Sequence, residues 1–212
     1  MAKTKKELGL DSMGVQKSMR IIDYLGDGLG QMPLNIMAGL VGQLTYFYTE
    51  KVGLAAGMVA TMLLVAKIID AFSDLLMGKI MDAGKSPKGK CRPWFIRMAI
   101  PAFVMIVLLF TVPKNAGSGV QAAYVLITNI LITAVVYTAV AIPYGALMAM
   151  RTESSEERGK MGIFRAAFGY IAGMIIAILL IPITNMLGGT QSAWIKVAVI
   201  FGLISLLSLL LL

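Results

Sequence analysis

Long apolar stretches separated by short polar segments dominate the pattern of the chain. Because a helix needs about 20 mostly apolar residues to cross a bilayer, each stretch predicts one transmembrane helix. The pattern therefore predicts an all-α membrane protein, with an N-terminal tail over residues 1–23 and a six-helix transmembrane bundle over residues 24–212. The six predicted helices span residues 24–49, 54–79, 94–112, 120–150, 161–186 and 193–212.

The segments between the predicted helices differ in their content of lysine and arginine. Residues 1–20, 82–93 and 151–160 each hold several of these basic residues, whereas the connections after the first, third and fifth helices carry Lys51, Lys114 and no basic residue. Cytoplasmic loops of membrane proteins hold the excess of basic residues. We therefore expect a multi-pass protein of the cell membrane, surrounded by lipid, with both termini in the cytoplasm.

Composition narrows the possible function classes. Hydrophobic residues make up 58% of the 212 positions and charged residues 14%, a balance that a water-soluble domain could not bury. Histidine is absent and Cys91 is the single cysteine, which excludes a histidine-ligated metal site and an internal disulfide. The net charge of +8 is concentrated in the connections, which indicates topology rather than nucleic-acid binding. Since no nucleophile with its base is recognisable, we expect neither an enzyme nor a cofactor.

Three ionisable residues lie well inside the second predicted helix. At 100 degrees per residue, Lys67, Asp70 and Asp74 fall within about 60 degrees of one another and share one face. Ionisable groups at this depth are costly and need a partner, water or an ion. Two carboxylates four residues apart can ligate a cation or share a proton. The alternative is structural, with Lys67 paired to Asp70 and the three residues holding helices together.

Other polar residues at helical spacing are candidates for substrate contact. Arg165, near the start of the fifth predicted helix, can donate paired hydrogen bonds to substrate hydroxyls or to a carboxylate. Alternatively, it can be an anchor whose side chain reaches the membrane interface. Gln31 and Asn35 on the first helix are weaker candidates. The glycines of residues 26–30 follow no strand and predict close helix packing rather than nucleotide binding. A stripe on the fourth helix can face a substrate cavity or bond to other helices, and consists of Asn129, Thr133, Tyr137, Ala141 and Tyr144.

Several motifs together closely resemble the glycoside-pentoside-hexuronide:cation symporters, a melibiose permease-like family within the major facilitator superfamily. They are DAFSD at 70–74, MGKIMD at 77–82, KGKCRPW at 88–94, YFYTEKVGL at 46–54 and IPYGAL at 142–147. The resemblance implies a transporter of twelve helices in two six-helix halves, with alternating access around a central site. This chain then corresponds to the N-terminal half.

The resemblance also implies roles for individual residues. Asp70 and Asp74 match the acids that couple transport to sodium, lithium or a proton, and they form a metal site if the ion is sodium. Ser73, where an asparagine often stands, and Thr138 match positions that assist the cation. Lys67 matches a basic residue beside the site, and Arg165 matches an arginine associated with sugar binding. Together with Tyr137, Gln31 and Asn35 from the polar pattern, they form the candidate substrate-binding set. A loop motif that influences conformational exchange matches Gly78, Asp82, Lys85, Lys88 and Lys90.

Two departures from the family pattern affect the expected function. Met32 and Ala141 stand where acids hold sugar hydroxyls in the melibiose branch, and Gly145 replaces a stacking aromatic residue. These changes argue against a galactoside and leave another glycoside, a uronide or a non-sugar solute. The leading hypothesis is cation-coupled symport of a sugar-like solute. It needs a second six-helix half, supplied by a C-terminal continuation, a separate chain or a homodimer; the alternative is a non-transporting truncated half or a membrane scaffold.

Overall fold

The computed structural model describes residues 8–83 and 91–212. Helices make up the regular structure, apart from an isolated antiparallel bridge between Leu10 and Gln16. Two helical segments are π-helical, with hydrogen bonds that span five residues instead of four. The helices are α1 (Ile21–Leu29), α2 (Gln31–Gly42), α3 (Leu44–Tyr46), a first π-helical segment (Phe47–Val52), α4 (Ala56–Ala83), α5 (Arg92–Leu108), α6 (Ser118–Ile130), a second π-helical segment (Leu131–Tyr137), α7 (Thr138–Arg151), α8 (Ser155–Met186) and α9 (Gln191–Leu211).

The first predicted helix is irregular along its length. The chain there runs through α1, α2, α3 and the first π-helical segment, with short interruptions at Gly30 and Gln43. The π-helical segment ends at Gly53, whose φ of +86° lies in the left-handed region that glycine adopts without a steric penalty. This glycine turns the chain tightly into α4, as the short connection predicts.

Three of the described helical stretches are long and apolar enough to cross a membrane. They are Ser118–Arg151, which joins α6, the second π-helical segment and α7, together with Ser155–Met186 and Gln191–Leu211. The fold is therefore all-α, and its apolar helices agree with a multi-pass membrane protein. The other three predicted crossings correspond to the interrupted first stretch, to α4 and to the 17-residue α5.

The helices pack in three main groups. α5 lies along α9, α1 and α2 lie along α8, and α4 packs against α6, the second π-helical segment and α7. α2 also contacts α9 and so joins the first two groups. Close approach is visible at Gly202 of α9, where an added Cβ would lie 2.9 Å from Cδ2 of Phe103. The outward faces of α4 and α8 remain apolar, as lipid or another protein surface requires; they expose Leu64, Ile68, Phe72, Leu75, Tyr170, Ile171, Met174 and Ile178.

Buried aromatic residues close one end of the bundle. The ring of Phe47 lies 5.0 Å from that of Phe110 and 5.2 Å from that of Trp194, measured between centroids. Beside them, Nε2 of Gln191 donates to the carbonyl oxygens of Phe110, at 2.9 Å, and Val112, at 2.7 Å. Because these carbonyls follow the end of α5 without helical partners, Gln191 ties the start of α9 to the α5–α6 connection.

The N-terminal segment is more ordered than a polar tail suggests. Residues 8–20 fold over the connection between α7 and α8, and α1 begins at Ile21. Oδ2 of Asp11 accepts a hydrogen bond of 2.5 Å from the Ser154 hydroxyl, and Oδ1 accepts one from the Val15 amide. These bonds lower the pKa of Asp11 from its ordinary value, with the Ser154 hydroxyl the larger cause.

Glu157 is the second anchor of this N-terminal segment, and it is fully buried near the start of α8. Its carboxylate accepts hydrogen bonds from the backbone amides of Ser18, at 3.0 Å, and Met19, at 2.8 Å. The hydroxyls of Tyr24 and Thr152 donate to the same carboxylate. A buried carboxylate is tolerated when donors surround it in this way.

Candidate functional site

A cavity of about 270 Å³ lies between α2, α4 and the second π-helical segment. We name it the acidic cavity, because Asp70 lies in its wall together with Lys67, Thr133 and Tyr137. The α2 side is apolar and contains small residues, Ala38 and Gly42 among them. The structure thus brings together Lys67, Asp70 and Tyr137, three of the residues predicted to take part in function.

Asp70 is the most unusual group in the acidic cavity. Its Oδ2 lies 3.0 Å from Nζ of Lys67, so the ion pair considered as the structural alternative is present. The other oxygen, Oδ1, is buried and has no hydrogen-bond partner within the described part of the chain. A buried carboxylate oxygen without a donor is costly, and it is a free ligand position for a cation or a proton.

Asp74 and Ser73 point to the fourth predicted helix. Oδ1 of Asp74 accepts a hydrogen bond of 2.8 Å from the hydroxyl of Thr138, a buried residue that the resemblance assigns to the cation site. The Ser73 hydroxyl donates to the backbone carbonyl of Ala134 in the second π-helical segment. Ser73 therefore ties α4 to that segment, and its hydroxyl hydrogen is committed to the backbone.

The second π-helical segment changes the register of the predicted polar stripe. A π-helical turn contains an extra residue, so positions after it are rotated relative to those before it. Thr133 and Tyr137, both within the segment, face the acidic cavity. Tyr144 lies seven residues further, about two turns along the regular helix α7, and instead donates to the carbonyl oxygen of Asp27 at 2.6 Å. Residues of the polar stripe thus contribute both to the acidic cavity and to the surroundings of Asp27. The sequence carries no recognisable signal for the π-helical turn.

Arg165 forms a buried ion pair with Asp27. Its Nε and Nη2 donate to the two carboxylate oxygens of Asp27 at 2.6 and 2.9 Å. Nη1 donates to the carbonyl oxygen of Tyr144 at 3.0 Å, and the guanidinium carbon lies 3.8 Å from the centre of the Tyr144 ring. Sequence reasoning assigned the glycine-rich residues 26–30 to helix packing and missed Asp27. An acid within the first apolar stretch is itself the signal that could have found it.

A second cavity of about 270 Å³ lies beside this ion pair. We name it the arginine cavity; Gln31, Asn35, Arg165 and Gly169 line it. An added Cβ at Gly169 would lie 2.9 Å from Nδ2 of Asn35, so the glycine leaves room for the amide. The predicted substrate residues therefore divide between two cavities, with Gln31, Asn35 and Arg165 in this one and Lys67 and Tyr137 in the other.

Comparison with known proteins decides what kind of protein carries these cavities. The MFS/sugar transport protein family matches residues 26–212. This chain belongs to that family. The resemblance to the glycoside-pentoside-hexuronide:cation symporters is thereby confirmed, and so is the expectation that the chain belongs to a family of transporters rather than of enzymes.

Several curated members of the MFS/sugar transport protein family are similar to the chain. The inner membrane symporter YicJ of Escherichia coli K12 is 34% identical over 81% of this chain and 37% of its own length. The isoprimeverose transporter of Lactiplantibacillus pentosus is 34% identical over 84% of this chain and 38% of its own. The putative glycoside/cation symporter YagG of Escherichia coli K12 is 33% identical over 78% and 36%. The chain thus spans less than two fifths of the length of these relatives.

The remaining predicted residues of the loop motif stay predictions. Lys85, Lys88 and Lys90 lie outside the described residues, and of Asp82 only the place at the end of α4 is described. Gly78 lies within α4, with open space where a Cβ would stand. Among the described residues, no group of three or more His, Cys, Asp or Glu side chains could hold a metal ion. Asp70 and Asp74 stay the predicted residues for the coupling cation or proton.

Proposed function

We propose that the chain is the N-terminal half of a carrier that couples uptake of a sugar-like solute to sodium or a proton. The half crosses the membrane six times with both ends in the cytoplasm, and Asp70 and Asp74 bind the coupling ion. The solute binds against the arginine cavity and Tyr137, and a second six-helix half completes its site. Two of the relatives described above, the isoprimeverose transporter and the putative glycoside/cation symporter YagG, support this substrate class.

The observation that carries the proposal is that Oδ1 of Asp70 has no hydrogen-bond partner among residues 8–83 and 91–212. This oxygen is buried beside a cavity, while the other oxygen of the same carboxylate is held by Lys67. In a low-dielectric site, an ion or a proton at Oδ1 removes the cost of the bare oxygen. Asp74 supplies a second carboxylate one helical turn away, fixed by Thr138.

Direct contacts connect the proposed ion site on α4 with the other helices of the bundle. Asp74 is bonded to Thr138 of α7, and Ser73 to Ala134 of the second π-helical segment. A change of charge or position on α4 therefore acts on α7, whose Tyr144 holds both Asp27 and Arg165. This continuous chain of contacts is the physical connection that coupling between an ion and a solute requires.

The test compares Asp70→Asn and Asp74→Asn with the unchanged complete carrier in liposomes. Radioactive sodium binding is measured without solute, and uptake of a panel of labelled glycosides is measured under a sodium or a proton gradient. We expect either variant to lower cation-stimulated uptake at least tenfold. Glu50→Gln, which removes an exposed carboxylate away from both cavities, serves as the matched control.

The outcomes separate the parts of the proposal. Unchanged ion dependence in both aspartate variants would refute the assignment of the ion site. Ion-dependent uptake by the 212-residue chain alone would contradict the need for a second half. A carrier that moves no glycoside of the panel under either gradient would refute the substrate class.

A further inference from the structure

We propose that Asp27 sets the charge class of the solute, and that the arginine cavity selects uncharged, hydroxyl-bearing solutes over anionic ones. The inference rests on the proposed function, since it concerns the solute site of the same carrier. Its basis is the ion pair between Arg165 and Asp27, in which the carboxylate compensates the charge of the guanidinium.

The geometry leaves Arg165 little capacity for an anionic solute. Both oxygens of Asp27 are bound by the guanidinium through Nε and Nη2, in the paired arrangement that a carboxylate of a solute would itself adopt. Nη1 is held by the Tyr144 carbonyl, and the Tyr144 ring covers one face. Three of the five N–H groups of Arg165 thus donate to acceptors within the protein. The pair of N–H groups that would bind a solute carboxylate already binds Asp27.

An anionic solute would have to compete with Asp27 for Arg165. The Asp27 side chain is 0% exposed, whereas the side chain of Arg165 is 10% exposed at the cavity. Displacing the aspartate would leave a buried carboxylate without its main partner, which is among the most costly changes inside a protein. Solute hydroxyls impose no such competition, because they can accept from the N–H groups of Arg165 that remain.

The rest of the arginine cavity is uncharged, with the polar Gln31, Asn35 and Tyr170 beside the small Ala166 and Gly169. Gln31 and Asn35 offer amide groups, which donate to and accept from hydroxyls. Arg151 also approaches Asp27, with Nη1 3.7 Å from Oδ1, but its side chain is 31% exposed and does not line this cavity. The lining therefore combines two neutral amides with a neutralised ion pair, a surface suited to a glycoside without acidic groups.

The experiment measures discrimination between matched solutes in the complete carrier. The solute pairs are methyl glucoside with methyl glucuronide, and methyl galactoside with the corresponding galacturonide, which differ in one carboxylate. We expect the unchanged carrier to prefer the neutral member at least tenfold. Asp27→Asn keeps the shape but removes the charge, so the preference should shift at least tenfold toward the anionic member.

The matched control is Asp23→Asn, which removes an exposed carboxylate one turn earlier on α1 that caps the helix through the Arg20 amide. It should leave the ratio between neutral and anionic solutes unchanged. General damage to the fold lowers uptake of both members of a pair alike, so the ratio reports specificity.

A double variant, Asp27→Asn with Arg165→Gln, covers the case in which Asp27→Asn alone does not fold. It removes both charges together, so the cavity stays neutral. The ratio of neutral to anionic solute uptake should therefore stay within threefold of the ratio in the unchanged carrier. A tenfold loss of anionic solute relative to neutral solute in this variant would overturn the proposal, because Arg165 would then be serving the anion. An unchanged carrier that prefers the anionic members, or an unaltered ratio in Asp27→Asn, would also overturn it. If the unchanged carrier takes up no member of the panel, the proposed function itself fails.

Discussion

Removing the Glu157 carboxylate should release the N-terminal segment from the α7–α8 connection. In Glu157→Ala, the backbone amides of Ser18 and Met19 lose their acceptor. An unsatisfied buried donor costs about 1–3 kcal/mol, with the full cost at the buried Met19 and part of it at the half-buried Ser18. We therefore expect the segment to be destabilised by about 2–4 kcal/mol, while the helices behind it stay folded.

Amide hydrogen exchange in the purified protein measures this release directly. Each 1.4 kcal/mol corresponds to a factor of ten in an equilibrium constant, so exchange at Ser18 and Met19 should accelerate at least about 30-fold. Limited proteolysis within residues 8–20 should accelerate in parallel.

A conservative change separates the shape of the side chain from its charge. Glu157→Gln keeps one oxygen for the two amides, and the hydroxyls of Ser18 and Thr152 can turn to accept from its NH₂ group. We expect a smaller loss of about 1 kcal/mol, the difference between a charged and a neutral hydrogen bond. Glu153→Ala, which removes an exposed carboxylate four residues earlier, is the control. Normal protection of the Met19 amide in Glu157→Ala would refute the reasoning.

Three further predictions concern the N-terminal segment and the helix packing. Because the pKa of Asp11 is lowered in the folded state, its carboxylate stabilises the segment above the ordinary pKa of about 4, and this stabilisation is lost as the pH falls. Acid should therefore release residues 8–20. Hydrogen exchange measured between pH 6 and 3 should show a smaller acid-induced change in Asp11→Asn. Gly202→Ala should lower the thermal stability by about 1–3 kcal/mol through overlap with Phe103, whereas Gly173→Ala, which has open space, should not. Gln191→Leu should cost about 2–4 kcal/mol in thermal unfolding by leaving two carbonyls without donors, and an unchanged melting temperature would contradict the role given to Gln191.

Local patterns in the sequence are enough to predict that the chain is helical and that ionisable side chains share one face of α4. Lys67 and Asp70 lie three residues apart, and helical spacing alone is enough to predict that they meet. The contact between Asp74 and Thr138 spans 64 positions. Spacing carries no information on such distant pairs, and the family resemblance predicted only that both residues belong to the cation site.

The pairing of Asp27 with Arg165 could not be predicted in the same way. The two residues lie on different helices, separated by 138 positions, and their meeting depends on how α1 packs along α8. The glycine-rich surroundings of Asp27 indicated close packing correctly, since an added Cβ at Gly28 would overlap with Phe168. What the pattern lacked was the identity of the neighbour. The order of residues 8–20 was missed for the same reason, because its anchors lie beyond α7.

The second π-helical segment gives the chain one place where a change of length can be absorbed. Its wide turn holds one residue more than an α-helical turn, so deleting one residue between Leu131 and Tyr137 would let the segment close into an ordinary α-helix and leave the helix beyond it close to its present orientation. A deletion in the regular helix α7 has no such outlet, because each residue there accounts for about 100 degrees of rotation. Removing one residue between Thr138 and Tyr144 would turn Tyr144 away from Asp27. One-residue deletions should therefore be tolerated better in this segment than in the regular turns that follow it.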